Sequence, residues 1–259
     1  MWNMFATNEV PGLSARLQSM TSMMGDEIQG YVATPDGDGP FPGVVLIPHA
    51  PGFDEILFEY ARRFAMHGFN TAVPNIYIRY GHGAPDDVAA RVRGDGGIAD
   101  DSVVADAHGA LRYLKALPTS NGKVGVIGHC SAGRHAVLTA SLVPEFDAVA
   151  DCWGGQVVQT PEQTTAKRPV APIDLTPQLN APLIGIFGNE DMSPSPAQVD
   201  QHAAALDAAG KTYIFHRYDG VGHGIWYYQG QSYRSPAAAI DSWNKVEDWF
   251  NTYLRSSMM

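Results

Sequence analysis

The chain has 259 residues, of which 45% are hydrophobic and 17% charged, a composition typical of a soluble globular protein. The formal net charge of -10 argues against sequence-independent nucleic-acid binding and against an anionic membrane surface as partner, because both need clustered lysine and arginine. No apolar run approaches the roughly 18 residues that span a bilayer, and the N-terminus lacks the apolar core of a signal peptide, so we expect a cytoplasmic protein.

The first predicted elements are two extended segments, SARLQSM (14–20) and EIQGYVATP (27–35), on either side of a turn. They predict an antiparallel hairpin, with residues 1–25 forming an N-terminal arm and edge strand. Strand and helix patterns then alternate along the chain. Strands are predicted at 43–49, 70–75, 123–128, 146–154, 182–189 and 212–219, and helices near 54–67, 101–116, 132–143, 196–209 and 236–254.

Two stretches carry no regular pattern. A loop containing GHGAPDD leads to the helix near 101–116, and the proline-rich residues 155–178 predict a surface excursion over one end of the sheet. The sixfold alternation predicts an α/β fold, with a mostly parallel central sheet, helices on both faces, and one domain spanning 1–259.

Chemistry in a parallel sheet gathers at the carboxyl ends of its strands. Cys130, Asp191 and His223 each follow a predicted strand, in the chain order nucleophile, acid, base that α/β-hydrolases use. In GHCSAG, the small Gly128 stands two positions before Cys130, as a sharp strand-to-helix turn requires. Cys130 is therefore the predicted nucleophile, His223 its base, and Asp191 the acid that orients His223.

The N–H groups of Ser131 and Ala50 are the predicted oxyanion donors. Ser131 is a poorer nucleophile candidate, because the residue two positions before it, where the turn needs a small side chain, is His129. Alternatives remain for each member of the triad. Cys130 could be a small buried hydrophobe, Asp191 a turn residue with Glu190 as the rival acid, and His223 an ordinary loop histidine.

Neither a metal nor a cofactor is predicted. Cys130 and Cys152 are the only cysteines, Cys152 is expected in the core, and no motif with metal-ligand or nucleotide-binding spacing occurs.

The chain resembles the dienelactone hydrolase (carboxymethylenebutenolidase) family of α/β-hydrolases from about residue 26 to 254. SNGKVGVIGHCSAGR is similar to the family's cysteine elbow, and PNIYIRYG, FGNEDMSP and GVGHG match further family segments. The resemblance implies Cys130 as nucleophile, Asp191 as acid and His223 as base.

The sequence departs from the family pattern around the substrate. His49, a predicted substrate-binding residue, stands where the family has a glutamate, and Ala132 replaces an elbow glycine. The resemblance implies Arg79 as one substrate-binding arginine, whereas the second arginine position falls in GIWYYQG. One arginine beside Trp153, Trp226 and Tyr227 favours a more apolar or aromatic ester, unless these aromatic residues are only packing.

The leading hypothesis is thus a hydrolase of a small carboxylic ester or lactone that works through an acyl-cysteine. The alternatives are a thioesterase, a carbon–carbon hydrolase, or a non-catalytic ligand-binding or redox-sensing module. The sequence does not predict the oligomeric state.

Overall fold

The computed structural model describes residues 11–226 and 235–255. Eight strands form one sheet in the order β1-β2-β4-β3-β5-β6-β7-β8. The strands are β1 (Leu13–Thr21), β2 (Glu27–Pro35), β3 (Phe41–Leu46), β4 (Asn70–Pro74), β5 (Ser120–His129), β6 (Ala148–Cys152), β7 (Leu183–Gly188) and β8 (Tyr213–Tyr218). The strands from β3 to β8 run parallel, and β1 and β2 form the predicted antiparallel hairpin at one edge.

Six helices accompany the sheet within the described residues. They are α1 (Glu55–Met66), α2 (Pro85–Gly94), α3 (Asp100–Lys115), α4 (Ser131–Leu142), α5 (Pro196–Ala208) and α6 (Pro236–Leu254). The residue Asp54 caps α1 by accepting a hydrogen bond from the Leu57 N–H, and the hydroxyl of Ser195 caps α5 in the same way.

Helices cover both faces of the sheet because alternate strand residues point to opposite sides. Val44 and Leu46 of β3 belong to a core shared with α1 and α6, whereas Val45 belongs to a second core shared with α2 to α5. The prediction of a mostly parallel sheet between helices is confirmed. None of the helices in the described parts of the chain is long and apolar enough to cross a membrane.

The helix α2 differs from the prediction, since the sequence analysis predicts a loop around GHGAPDD. Pro85 stands at the first helical position and two aspartates follow in the first turn, both of which favour a helix start. Only Val88, Ala89 and Val92 are buried, so the apolar stripe is short and easily missed.

The excursion 155–178 contains two short 3₁₀ helices, Pro161–Gln163 and Pro172–Gln178. Side chains and backbone groups bind it to the rest of the chain. The Lys167 ammonium donates to the carbonyls of Asp95 and Gly97, and the Asp100 N–H donates to the Lys167 carbonyl.

Candidate active site

Cys130 lies on a sharp turn between β5 and α4. Its backbone has φ 59° and ψ -129°, a conformation that costs a residue with a side chain about 1–3 kcal/mol. The turn is held by hydrogen bonds from the Cys130 N–H to the Cys152 carbonyl and from the Gly133 N–H to the Cys130 carbonyl, both 3.0 Å. The surrounding structure therefore keeps the half-buried thiol at the carboxyl edge of the sheet.

Small residues make this turn possible, as the sequence predicts. A Cβ atom on Gly128 would lie 1.8 Å from the Ala132 carbonyl oxygen, and one on Gly133 would lie 2.3 Å from Asp151 Oδ1. Strand and helix approach too closely for any side chain at these two positions.

His223 and Asp191 meet on the loops that follow β8 and β7. The two loops are joined by a 2.9 Å hydrogen bond from the Glu190 N–H to the Val221 carbonyl, and a Cβ on Gly188 would lie 2.2 Å from that carbonyl oxygen. As a result, His223 Nδ1 lies 2.8 Å from Asp191 Oδ2.

The rival acid Glu190 is exposed, whereas the Asp191 side chain is only 3% exposed. The second Asp191 oxygen accepts the Ser193 N–H at 2.9 Å, which fixes the carboxylate. The structure thus pairs the histidine with the acid that the sequence analysis preferred.

Cys130 and His223 line the same cavity, and the two side chains interact. Burial lowers the pKa of His223, but the hydrogen bond with Asp191 and the interaction with Cys130 outweigh burial and raise it to about 10. At neutral pH the imidazole therefore holds a second proton between an acid and a sulfur.

A cavity of about 400 Å³ opens beside these three side chains. Its lining comprises Cys130, Ser131, Arg134, His135, Gly155, Gln156, Arg168, Asp191, Met192, Ser193 and His223. The Ser131 N–H begins α4 and has no acceptor within that helix, so it is positioned to donate beside the thiol. Ala50 is not among the lining residues, and its carbonyl accepts from Arg93 at 2.6 Å.

The structure does not bring Arg79 to this cavity. Its guanidinium makes a two-point contact with the fully buried Asp106, at 2.7 and 2.8 Å, and also donates to Asp26. Arg79 thereby links Asp26 in the hairpin turn to Asp106 of α3. These two carboxylates occupy the guanidinium that the family resemblance implied as a substrate contact.

Three other residues predicted to contact substrate, His49, Trp153 and Trp226, are not among the cavity-lining residues. Fully buried His49 bonds through Nε2 to Asp54 Oδ2 at 2.9 Å and packs against His129. Trp153 and Trp226 are buried edge to face, and Trp226 donates to the Ser242 hydroxyl. These contacts fit the packing alternative for the two tryptophans. Tyr227 lies outside the described residues.

Five polar cavity residues were not singled out by the sequence analysis: Arg134, His135, Gln156, Arg168 and Ser193. The positions of Arg134 and His135, four and five residues after Cys130, were a usable signal because such residues lie about one turn along the helix. Gln156 and Arg168 belong to the aperiodic excursion, whose sequence carries no signal for its path. No group of three or more metal-ligating side chains occurs within 11–226 and 235–255.

The parallel sheet, the cysteine turn and the histidine–acid pair define a protein of the α/β-hydrolase fold. Residues 28–254 match the model of the dienelactone hydrolase family, and the chain belongs to that family as a dienelactone hydrolase-like hydrolase. A protein of Salmonella typhimurium named "Putative carboxymethylenebutenolidase" is 30% identical over 93% of this chain and 88% of its own length. One of the same name from Methylorubrum extorquens is 29% identical over 87% of this chain and 77% of its own.

A solved structure from Klebsiella pneumoniae, titled "Putative Dienelactone Hydrolase", matches with a TM-score of 0.79 and 25% identity. The match covers 92% of this chain and all of the other chain, 100%. The family resemblance stated from the sequence motifs is thereby confirmed.

Proposed function

We propose that the protein hydrolyses a small carboxylic ester or lactone through an acyl-cysteine intermediate. The observation that carries the proposal is that Cys130, His223 and Asp191 line one cavity, with the cysteine on a strained turn and the histidine hydrogen-bonded to the acid.

In the proposed mechanism, the thiolate sulfur of Cys130 attacks the carbonyl carbon and the carbonyl electron pair moves onto oxygen. The N–H of Ser131, and that of Ala50 as predicted, donate to this oxyanion. When the intermediate collapses, the bond to the alcohol oxygen breaks and His223 gives that oxygen its proton. His223 then takes a proton from water, whose oxygen displaces sulfur and releases the acid.

Asp191 contributes by fixing the ring of His223. It bonds to Nδ1, so Nε2 is left for proton exchange with the sulfur, the leaving alcohol and the water. It also stabilises the imidazolium that persists until the alcohol leaves.

The two cysteines provide a matched test of the nucleophile. We expect Cys130→Ala to abolish hydrolysis of p-nitrophenyl acetate and of a dienelactone, whereas Cys152→Ala, in the core, should keep turnover. Initial rates and mass spectrometry of the quenched enzyme would measure this, with an acyl adduct expected on Cys130 alone. Full activity of Cys130→Ala would rule out the mechanism, and ligand stabilisation without any released acid would indicate a binding module instead.

A further inference from the structure

The loop that follows β3 lies beside the cysteine turn. β3 and β5 are parallel neighbours, and the Ile47 N–H donates to the Ile127 carbonyl at 2.9 Å. The rings of His49 and His129 are 4.7 Å apart, so the two chains stay side by side beyond the last paired residues. The next residue of the loop, Ala50, therefore lies at the same edge of the sheet as the cysteine.

One peptide group of this loop is fixed by two hydrogen bonds. The His49 carbonyl accepts the Tyr77 hydroxyl at 2.6 Å and the Gly52 N–H at 3.0 Å. The peptide bond from His49 to Ala50 is trans. Because a trans peptide is planar and holds its C=O and N–H on opposite edges, fixing the His49 carbonyl also fixes the direction of the Ala50 N–H.

The Ala50 N–H is left for an acceptor from outside the fold. Within 11–226 and 235–255, no backbone or side-chain group accepts a hydrogen bond from it. Ala50 is partly exposed, so a substrate oxygen can approach this N–H. A fixed backbone donor beside a nucleophile is the kind of group that stabilises an oxyanion.

Tyr77 is suited to hold this peptide group in one orientation. Its ring is buried, and its N–H donates to Asn75 Oδ1 at 3.1 Å. Burial is the largest cause that raises the pKa of Tyr77 above its ordinary value, so the hydroxyl stays protonated and keeps donating at neutral pH. Because hydrogen-bonded groups polarise one another, donation to the carbonyl also makes the N–H of the same peptide group a stronger donor.

We infer that Tyr77 is a positioning residue that aims the Ala50 N–H at the oxyanion formed on the substrate. The inference rests on the proposed function, in which this N–H is one of two oxyanion donors. Tyr77 is not among the cavity-lining residues, so it acts through the peptide group and not by touching the substrate. Since the oxyanion exists only after the sulfur has attacked, loss of the Tyr77 hydroxyl should lower kcat and kcat/KM by the same factor.

Tyr77→Phe tests the role of the hydroxyl, because it keeps the ring and leaves the His49 carbonyl with its Gly52 partner. We expect kcat and kcat/KM for p-nitrophenyl acetate to fall together by roughly tenfold to a hundredfold, less than the factor of about 10²–10³ lost when an oxyanion donor is removed outright. Tyr31→Phe is the matched control and should keep wild-type rates, since Tyr31 is also buried and its hydroxyl accepts from Arg62 at 2.9 Å. Circular dichroism would verify that both variants are folded.

Two reagents separate the positioning of the oxyanion donor from general damage to the site. The Cys130 sulfur attacks the carbonyl carbon of trifluoroacetophenone, the carbonyl electron pair moves onto oxygen, and the thiol proton moves to His223. The adduct carries the oxyanion and has no leaving group, so it accumulates. Iodoacetamide alkylates the same sulfur with loss of iodide and forms no oxyanion.

The expected results differ for the two reagents. Tyr77→Phe should weaken the ketone adduct, measured by fluorine NMR, by about the factor lost in kcat/KM, because the adduct resembles the transition state. Alkylation of Cys130, followed by mass spectrometry, should proceed at the wild-type rate.

A ketone affinity unchanged in Tyr77→Phe would overturn the inference and leave the proposed function intact. Equal losses of ketone affinity and of alkylation rate would also overturn it, because they would show a general disturbance of the site. A wild type that forms the ketone adduct but hydrolyses no ester or lactone would refute the proposed function, and the two reagents would still decide the role of Tyr77. Absence of both the adduct and hydrolysis in the wild type would refute both.

Discussion

Asp151 illustrates how strongly one buried residue can be affected by its surroundings. It lies on β6 beside Gly128 of β5, beneath the cysteine turn, and is fully buried. One carboxylate oxygen accepts the Gly154 N–H at 2.9 Å, and the other has no partner in the described structure. Burial raises the pKa of Asp151 from 3.8 to about 7, although the Gly154 hydrogen bond lowers it.

This raised pKa predicts a pH-dependent stability. Between pH 3.8 and about 7 the folded state holds a proton that the unfolded state has lost, so the free energy of unfolding falls as pH rises through this window. The slope is about 1.4 kcal/mol per pH unit for one group. Asp151→Asn, which cannot ionise and can still accept from Gly154, should therefore become more stable relative to wild type from pH 4 to 7.

Urea unfolding at a series of pH values would measure the difference. Asp248→Asn, on the exposed face of α6, controls for the loss of one negative charge. A difference between Asp151→Asn and wild type that stays constant over this window would contradict the raised pKa.

At the scale of elements, the junction of β5 and α4 depends on close approach rather than on side-chain contacts. The 1.8 Å separation between a Cβ on Gly128 and the Ala132 carbonyl is far below van der Waals contact. The strand and helix would have to move apart to admit even a methyl group, and the cysteine turn would move with them.

Gly128→Ala should therefore destabilise the protein by about 3 kcal/mol and reduce ester hydrolysis. Gly94→Ala is the matched control because nothing lies within 4 Å of its added methyl group at the end of α2. For Gly94→Ala we expect the free energy of unfolding to rise by about 0.5–1 kcal/mol, because alanine restricts the conformations of the unfolded chain. Denaturant unfolding of the two variants would compare them, and similar stabilities would show that the junction can relax.

At the scale of the whole molecule, a buried ion pair between α3 and α4 contributes to the attachment of the excursion 155–178. Arg134 of α4 binds Asp100 of α3 and also donates to the carbonyl of Val170 and the side chain of Gln159. Since removing one partner of a buried pair leaves an uncompensated charge, the pair couples the cavity wall to overall stability.

Asp100→Asn should destabilise the protein by about 3–5 kcal/mol and loosen the excursion. Trypsin cleavage after Lys167 reports this loosening, because the Lys167 side chain now bonds to the carbonyls of Asp95 and Gly97. The control is Asp200→Asn, which breaks the exposed pair with Arg217. Equal cleavage rates in the two variants would show that the ion pair does not hold the excursion.

Local pattern was sufficient for much of the fold and for part of the site. Buried strands and amphipathic helices have different hydrophobic periods, so their alternation predicted the parallel sheet before any contact was known. Gly128 predicted the sharp turn, because only a small residue fits two positions before Cys130. Cys130, Asp191 and His223 were expected to lie close together, because each follows a parallel strand and such strands end at one edge of the sheet.

The lining of the cavity away from the cysteine turn was decided only by tertiary structure. Arg79, a predicted substrate contact, is bound by Asp26 and Asp106, which are distant in sequence, and is not among the cavity-lining residues. Arg168 reaches the cavity on a segment without periodicity, and burial among the core aromatic residues removes Trp226 from it. These positions could not be predicted because the hydrophobic periodicity of a segment shows only which of its faces is buried. An ion pair depends instead on the three-dimensional distance between two charges, which no local sequence pattern encodes.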